Sequence, residues 1–100
     1  MHNLNLMGSN HLPSIDLHGM DRDTARILSK EFLEDQYSLG KRAVVIIHGK
    51  GKRVLKQEIH EMLKREKIVQ DFFIDFFNDG ATIVELIEKT KNWQIDEFVI

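Results

Sequence analysis

The chain has 100 residues, 42% hydrophobic and 30% charged, with no cysteine and a net charge of −2. A single domain with one two-layer core fits that size. Disulfides and cysteine–zinc sites are excluded, so any metal would need His, Asp or Glu ligands. No run approaches the roughly 18 apolar residues of a membrane span, and residues 1–14 lack the basic start and apolar run of a secretory signal. The cytoplasm is the expected location, with no membrane partner.

Charge is distributed unevenly. Residues 48–67 hold seven Lys/Arg against three Glu, while the rest of the chain holds seven Lys/Arg against thirteen Asp/Glu. One basic segment lies in an acidic chain, although the net charge alone predicts no partner.

Residues 1–14, rich in Asn, Ser, Gly and His without periodicity, read as a flexible arm closed by Pro13. Ile15-Asp16-Leu17-His18 alternates apolar and polar like a short half-buried strand, broken by Gly19. Asp21 is suited to cap a helix over 22–39 carrying Ala25, Leu28 and Phe32 at helical spacing, with Leu33 and Tyr37 beside them and Gly40 as its stop. Ala43–Ile47 is a continuous run, mostly β-branched, of the kind buried on both faces. It ends in His48-Gly49-Lys50-Gly51 and leads into a helix over 52–66, with Leu55, Ile59, Met62 and Leu63 inward. Strands are expected over 69–77 and 81–87, joined at Asn78-Asp79-Gly80, because Asp-Gly accepts the positive φ of tight hairpins.

The predicted order is β-α-β-α-β-β. Right-handed crossovers put both helices on one face of a four-stranded mixed sheet. The fold class is α/β, an α+β two-layer sandwich spanning residues 15–88. Residues 89–100 end too apolar for a free tail. Trp93, Ile95 and Phe98 are expected to cover Phe73 and Phe77 on the open sheet face. The alternative is a dimer through that face; a monomer is the first expectation. Phe72, Ile74 and Phe76 fall on one face of their strand and Phe73, Asp75 and Phe77 on the other. These rings are expected in the core rather than as a stacking platform.

Two strands thus end in His-Gly. The C-terminal ends of parallel strands share one sheet edge, where open α/β sheets take their ligands. His18 and His48 are therefore expected near each other, with Asp16 on the same side of its strand as His18. Gly49, Lys50 and Gly51 allow close backbone approach at a helix start whose free N–H groups favour an anion. The loop lacks the spacing of a Walker loop, and taken alone it is an ordinary strand-to-helix turn.

Taken together, Ile15–Gly19 and Val45–Gly51, each followed by a helix and then by a hairpin with Ala81–Leu86, resemble the Smr (small MutS-related) domain. That family has a Leu-Asp-Leu-His-like motif and a His-Gly-x-Gly motif in this order. The resemblance implies a stand-alone endonuclease or nickase for structured or branched DNA, or for RNA, in settings such as repair or recombination. It equally allows a non-catalytic nucleic-acid-binding module. Carried over, its functional positions are Asp16, His18, His48, Gly49 and Gly51. The glycine-rich stretch before the family's last strand is shortened here to Asn78-Asp79-Gly80.

Phosphodiester hydrolysis needs a base, an acid and positive charge at the phosphate. Two histidines could share the proton roles, with Asp16 orienting one imidazole and Lys50 holding the phosphate. Alternatively Asp16, His18 and His48 could ligate a divalent ion that activates water. The binding surface is expected to continue through Lys52, Arg53, Lys56 and Lys64. At about 100° per residue, Arg53, Lys56, His60, Lys64 and Lys67 share an arc of the second helix. An ordinary solvated face with i,i+4 pairs accounts for that arc equally well. His2, His11 and His60 carry no assigned role beyond surface positions. A protein-interaction domain using the open face or the tail is the third class of function.

Overall fold

The computed structural model describes residues 11–51 and 53–89. The arm up to residue 10, Lys52 and the expected covering tail beyond residue 89 lie outside the described residues. The elements are β1 (Ser14–Asp16), α1 (Arg22–Ser38), β2 (Ala43–Ile47), α2 (Val54–Arg65), β3 (Val69–Asp75) and β4 (Asn78–Leu86). The sheet runs β1-β2-β4-β3. β1 and β2 are parallel, and β4 lies antiparallel between β2 and β3.

Alternation explains which residues face the helices. Val44 and Ile46 of β2 stand beside Val84 and Thr82 of β4, which stand beside Phe72 and Ile74 of β3. Their helix-facing members enclose one core with Leu17, Ala25 and Leu33 from the first half of the chain and Leu55, Ile59, Met62 and Leu63 from α2. Both helices lie on this one face. Across the top of the layer Arg26 pairs with Glu58 at 3.3 Å and Lys30 with Glu66 at 3.2 Å. Val45, on the opposite face, is also buried, as the apolar run of β2 implied.

Local signals account for the ends of α1. The Asp21 carboxylate accepts from the Thr24 N–H at 3.1 Å. At the other end Gly40, at φ +83°, donates to the Tyr37 carbonyl, and Lys41 donates to that of Gln36. Those two bonds form a Schellman stop.

Three expectations need correction. α2 begins at Val54 rather than 52, because Arg53 sits at φ 67° in the left-handed region and breaks helical geometry there. The hairpin turn is Phe76-Phe77, not Asn78-Asp79-Gly80. Asp75 pairs with Asn78, so β3 stops at 75 and β4 starts at 78. The Asp75 carboxylate accepts from the Phe77 N–H at 2.9 Å, and Asn78 Oδ1 accepts from the Gly80 N–H at 2.9 Å. These side-chain caps make the turn and the bulge after it without a positive φ at Gly80. Finally, Phe76 and Phe77 are not core residues. Placed on the turn, they are 89% and 80% exposed.

Candidate nucleic-acid interface

The edge formed by the C-terminal ends of β1 and β2 carries both His-Gly turns. Gly19 and Gly49 have φ of +85° and +89°, values that glycine adopts without steric cost. The turns touch. A β-carbon placed on Gly49 would lie 3.2 Å from the His18 β-carbon. Between them opens a cleft of about 500 Å³, bordered by His18, Gly19, His48, Gly49, Lys50, Gly51 and Arg53. A groove of about 560 Å³ runs between the helices, but glutamates and their ion-pair partners line it and none of the motif residues do.

The two histidines at this edge differ. His18 is exposed and aligned by Asp16, whose Oδ1 accepts from the His18 backbone N–H at 3.1 Å and from Nδ1–H at 2.7 Å. A carboxylate only accepts, so the proton sits on Nδ1 and Nε2 is left for other partners. The hydrogen bond to Asp16, reinforced by its charge, raises the His18 pKa, and the same bond lowers that of Asp16.

His48 is 4% exposed. Its Nδ1 faces the Gly49 carbonyl at 3.1 Å, and its Nε2 lies 2.8 Å from Thr82 Oγ1. His60 Nε2 lies 2.8 Å from the same hydroxyl. Burial lowers the pKa of both rings, with the charges of neighbouring groups contributing less. With both rings neutral, only one arrangement satisfies all three contacts. His48 Nδ1–H donates to Gly49 O, the Thr82 hydroxyl donates to His48 Nε2, and His60 Nε2–H donates to Thr82. The His60 ring packs against Phe72, with centroids 4.9 Å apart.

This chain of bonds corrects the surface assignment of His60 and its membership of the basic arc. It also corrects the proposed metal trio. His48 spends its nitrogens on Gly49 and Thr82, and Asp16 spends Oδ1 on His18. Among the described residues no three His, Asp or Glu side chains converge as a ligand group.

The remaining expected contacts divide. Arg53 is exposed at the start of α2, where no side chain caps the helix and its first turn holds no acid. Lys50 is exposed but lies 3.6 Å from Asp79 Oδ1. Lys56 is half-buried, near enough to His48 and His60 to lower both pKa values. Lys64 pairs with Glu61 at 3.6 Å.

Sequence reasoning passed over Thr82, and it read Gly80 only as part of a hairpin and His60 only as part of a basic arc. The Gly80 carbonyl accepts from both the His48 and Gly49 N–H groups, at 2.9 and 2.8 Å. A β-carbon there would meet Lys50 Cγ at 3.0 Å and the Gly49 carbonyl carbon at 3.1 Å. The role of this glycine is therefore close approach of the loop. Thr82 did leave a signal, as the one hydroxyl in register with Val84 and Leu86 on the apolar side of β4. His60 adjoins Ile59 at the border of the apolar face of α2.

Comparison with known proteins places the fold and the family. The family model of the Smr domain matches residues 15–87. The chain is 39% identical over 75 residues to the Endonuclease MutS2 of Clostridium kluyveri, covering 75% of this chain and 10% of that protein. It is 43% identical over 76 residues to the Endonuclease MutS2 of Caldicellulosiruptor saccharolyticus, covering 73% and 10%. The chain thus spans about a tenth of the length of these curated relatives. Among solved structures, the Smr domain of Thermus thermophilus MutS2 superposes with a TM-score of 0.74 at 32% identity, covering 76% of this chain and 99% of that one. YdaL, a stand-alone small MutS-related protein from Escherichia coli, shares the fold, with a TM-score of 0.75 at 23% identity over 88% of this chain and 77% of its own. By its motifs, its sheet order and these matches, the chain belongs to the Smr domain family.

Proposed function

We propose that this chain is an endonuclease or nickase that hydrolyses phosphodiester bonds in structured or branched DNA, or in RNA, in the cytoplasm. One observation carries the reading. The Asp16–His18 pair opens onto the same cleft as Gly49-Lys50-Gly51, Arg53 and the uncapped start of α2. A phosphate in that cleft meets backbone N–H groups, a positive helix end and two cations. His18 Nε2 is then the atom at which a proton leaves the attacking oxygen or reaches the departing one. Asp16 holds the opposite nitrogen and so fixes tautomer and orientation. The relatives' name, Endonuclease MutS2, supports the same reaction class.

In this reading His48 is a positioning residue. Its ring ties the His-Gly-Lys-Gly loop, through the Gly49 carbonyl, to Thr82 beneath it. The second reading, a module that binds without cutting, rests on the same phosphate contacts and draws support from the burial of His48, whose ring nitrogens face Gly49 and Thr82.

A cleavage and binding assay on supercoiled DNA, branched DNA and structured RNA separates the two, run with magnesium and with chelator. Wild type is compared with His18→Ala and Arg53→Ala. Cleavage that disappears in His18→Ala while binding persists supports the nuclease. Background cleavage equal in wild type and His18→Ala leaves the binding module. In both readings affinity falls steeply as salt rises, because phosphate contacts release counterions.

A further inference from the structure

From the Phe76-Phe77 turn we infer a second part of this interface, a stacking platform for unpaired bases; the inference rests on the nucleic-acid reading above. A tight turn is a place for Gly, Asn or Asp, yet two phenylalanines occupy this one. They stand 89% and 80% exposed, with ring centroids 5.0 Å apart and planes at 89°. An edge-to-face pair leaves ring surface open to a further aromatic partner. The backbone beneath is fixed, because Asp75 caps the Phe77 N–H.

Topology places this turn at the phosphate-ready edge. β3 runs parallel to β2 with β4 between them, so the turn after β3 leaves the sheet at the same end as the His48 loop. Phe77 and Gly80 are three positions apart, a span of at most about 10 Å. Gly80 itself is bonded to His48 and Gly49 and packs against Lys50. Cationic loop and aromatic turn therefore leave the same end of the sheet side by side, with Asp79, paired to Lys50 at 3.6 Å, between them. That is the pairing used for single-stranded nucleic acid, in which basic groups track the backbone and rings stack on the bases.

The size of the patch argues against a second copy of the chain. Two phenylalanine rings offer roughly 300–500 Å², short of the roughly 800 Å² per partner in a stable protein interface. One or two bases match it. The substrate class is thereby narrowed to nucleic acid with unpaired nucleotides next to the contacted phosphate, such as a gap, flap, junction or loop.

The test uses the full chain and three DNA probes: a closed duplex, the duplex with a short single-stranded gap, and that gap made abasic. A fluorescent base analogue quenched by stacking sits in the unmodified gap. Wild type should prefer the base-containing gap and quench the analogue. The double variant Phe76→Ala/Phe77→Ala should lose affinity for that probe by roughly 10- to 100-fold, with no loss on the duplex or the abasic gap. Phe76→Trp, with native Phe77, should keep the wild-type quenching. Both rings are exposed, so thermal midpoints should stay equal. Three results overturn the inference: equal affinity of wild type and double variant for the base-containing gap, equal losses on all three probes, or a concentration-dependent dimer that the double variant abolishes. In the first case, salt-sensitive binding by both proteins leaves the phosphate-contact reading standing. If wild type binds none of the probes at low salt, both readings fall.

Discussion

His18-Gly19 and His48-Gly49 are the same dipeptide just past a parallel strand, each with its glycine at positive φ, but one residue out of register: Asp16 pairs with Ile47, so Leu17, not His18, is in step with His48. Their histidines accordingly live in opposite environments. Leu17 buries its side chain at the end of the edge strand and leaves His18 to solvent, beside Asp16. β2 is an interior strand, and the residue after it lies under α2, where Thr82 and His60 receive its ring. Register and strand position, more than the motif, decide which imidazole is free to exchange a proton with a ligand. Divergent pKa shifts within one site are a sign of divided roles.

The largest effect should come from breaking the exposed half. His18→Ala is expected to lower cleavage by roughly 100-fold or more, the usual scale of general acid–base catalysis, with an unchanged melting temperature because the ring is exposed. Equal cleavage by the variant and wild type in single-turnover assays would remove His18 from the chemistry.

The buried half should break differently. His48→Ala leaves the Thr82 hydroxyl and the Gly49 carbonyl short of a partner, at a cost of about 1–3 kcal/mol. For a domain of this size that lowers the melting temperature by roughly 4–8 °C per kcal/mol. A calorimetric midpoint within error of wild type would contradict the bonding arrangement around Thr82.

Acid stability sharpens the contrast. Burial holds His48 and His60 below their ordinary value of 6.5 in the folded chain. The unfolded chain therefore takes up protons first as pH falls. Their contribution is complete above pH 6.5 and is lost as pH drops through that value toward the folded ones. His18 has the opposite sign, since its folded value is raised above 6.5; its contribution is complete below 6.5 and is lost as pH rises through the folded value. Denaturant midpoints should decline between neutrality and mild acid, and His60→Gln should flatten that decline.

The smallest expected effect concerns the salt link between loop and hairpin. Asp79→Asn frees Lys50 from a carboxylate 3.6 Å away. Exposed pairs are worth about 0.2–1 kcal/mol, so nucleic-acid affinity should rise by at most a few-fold in a filter-binding titration. A fall in affinity would mean that Asp79 helps to hold the loop in its binding form.

Much of the frame was legible because each element advertises itself locally. Asp21 and Gly40 bracket α1, the β-branched run of Ala43–Ile47 marks the interior strand, and glycines end β1 and β2. Placing His18 and Gly49 on one edge then needs only the parallel crossover. What escaped depends on contacts far apart in sequence. Asn78-Asp79-Gly80 carries the stronger turn signal, yet Gly80 is spent on admitting Lys50 and Gly49, and the Asp75 cap moves the turn to Phe76-Phe77. Asp16, two residues before His18, marks the exposed ring locally, and Ile46 holds that place before His48. The partners that bury His48 lie farther off, 34 positions on at Thr82 and at His60, whose place on the boundary of α2 reads equally well as a solvated face.

The central claim, that one motif histidine is an exposed proton-transfer group and the other a buried brace, is tested most directly by NMR titration of the imidazole resonances of wild type, Asp16→Asn and Thr82→Val. His18 is expected to titrate above 6.5 in wild type and to move down toward that value in Asp16→Asn, while His48 is expected to titrate below 6.5 and to respond only to Thr82→Val. Two histidines titrating together near 6.5, neither moved by its own partner's substitution, would contradict that claim.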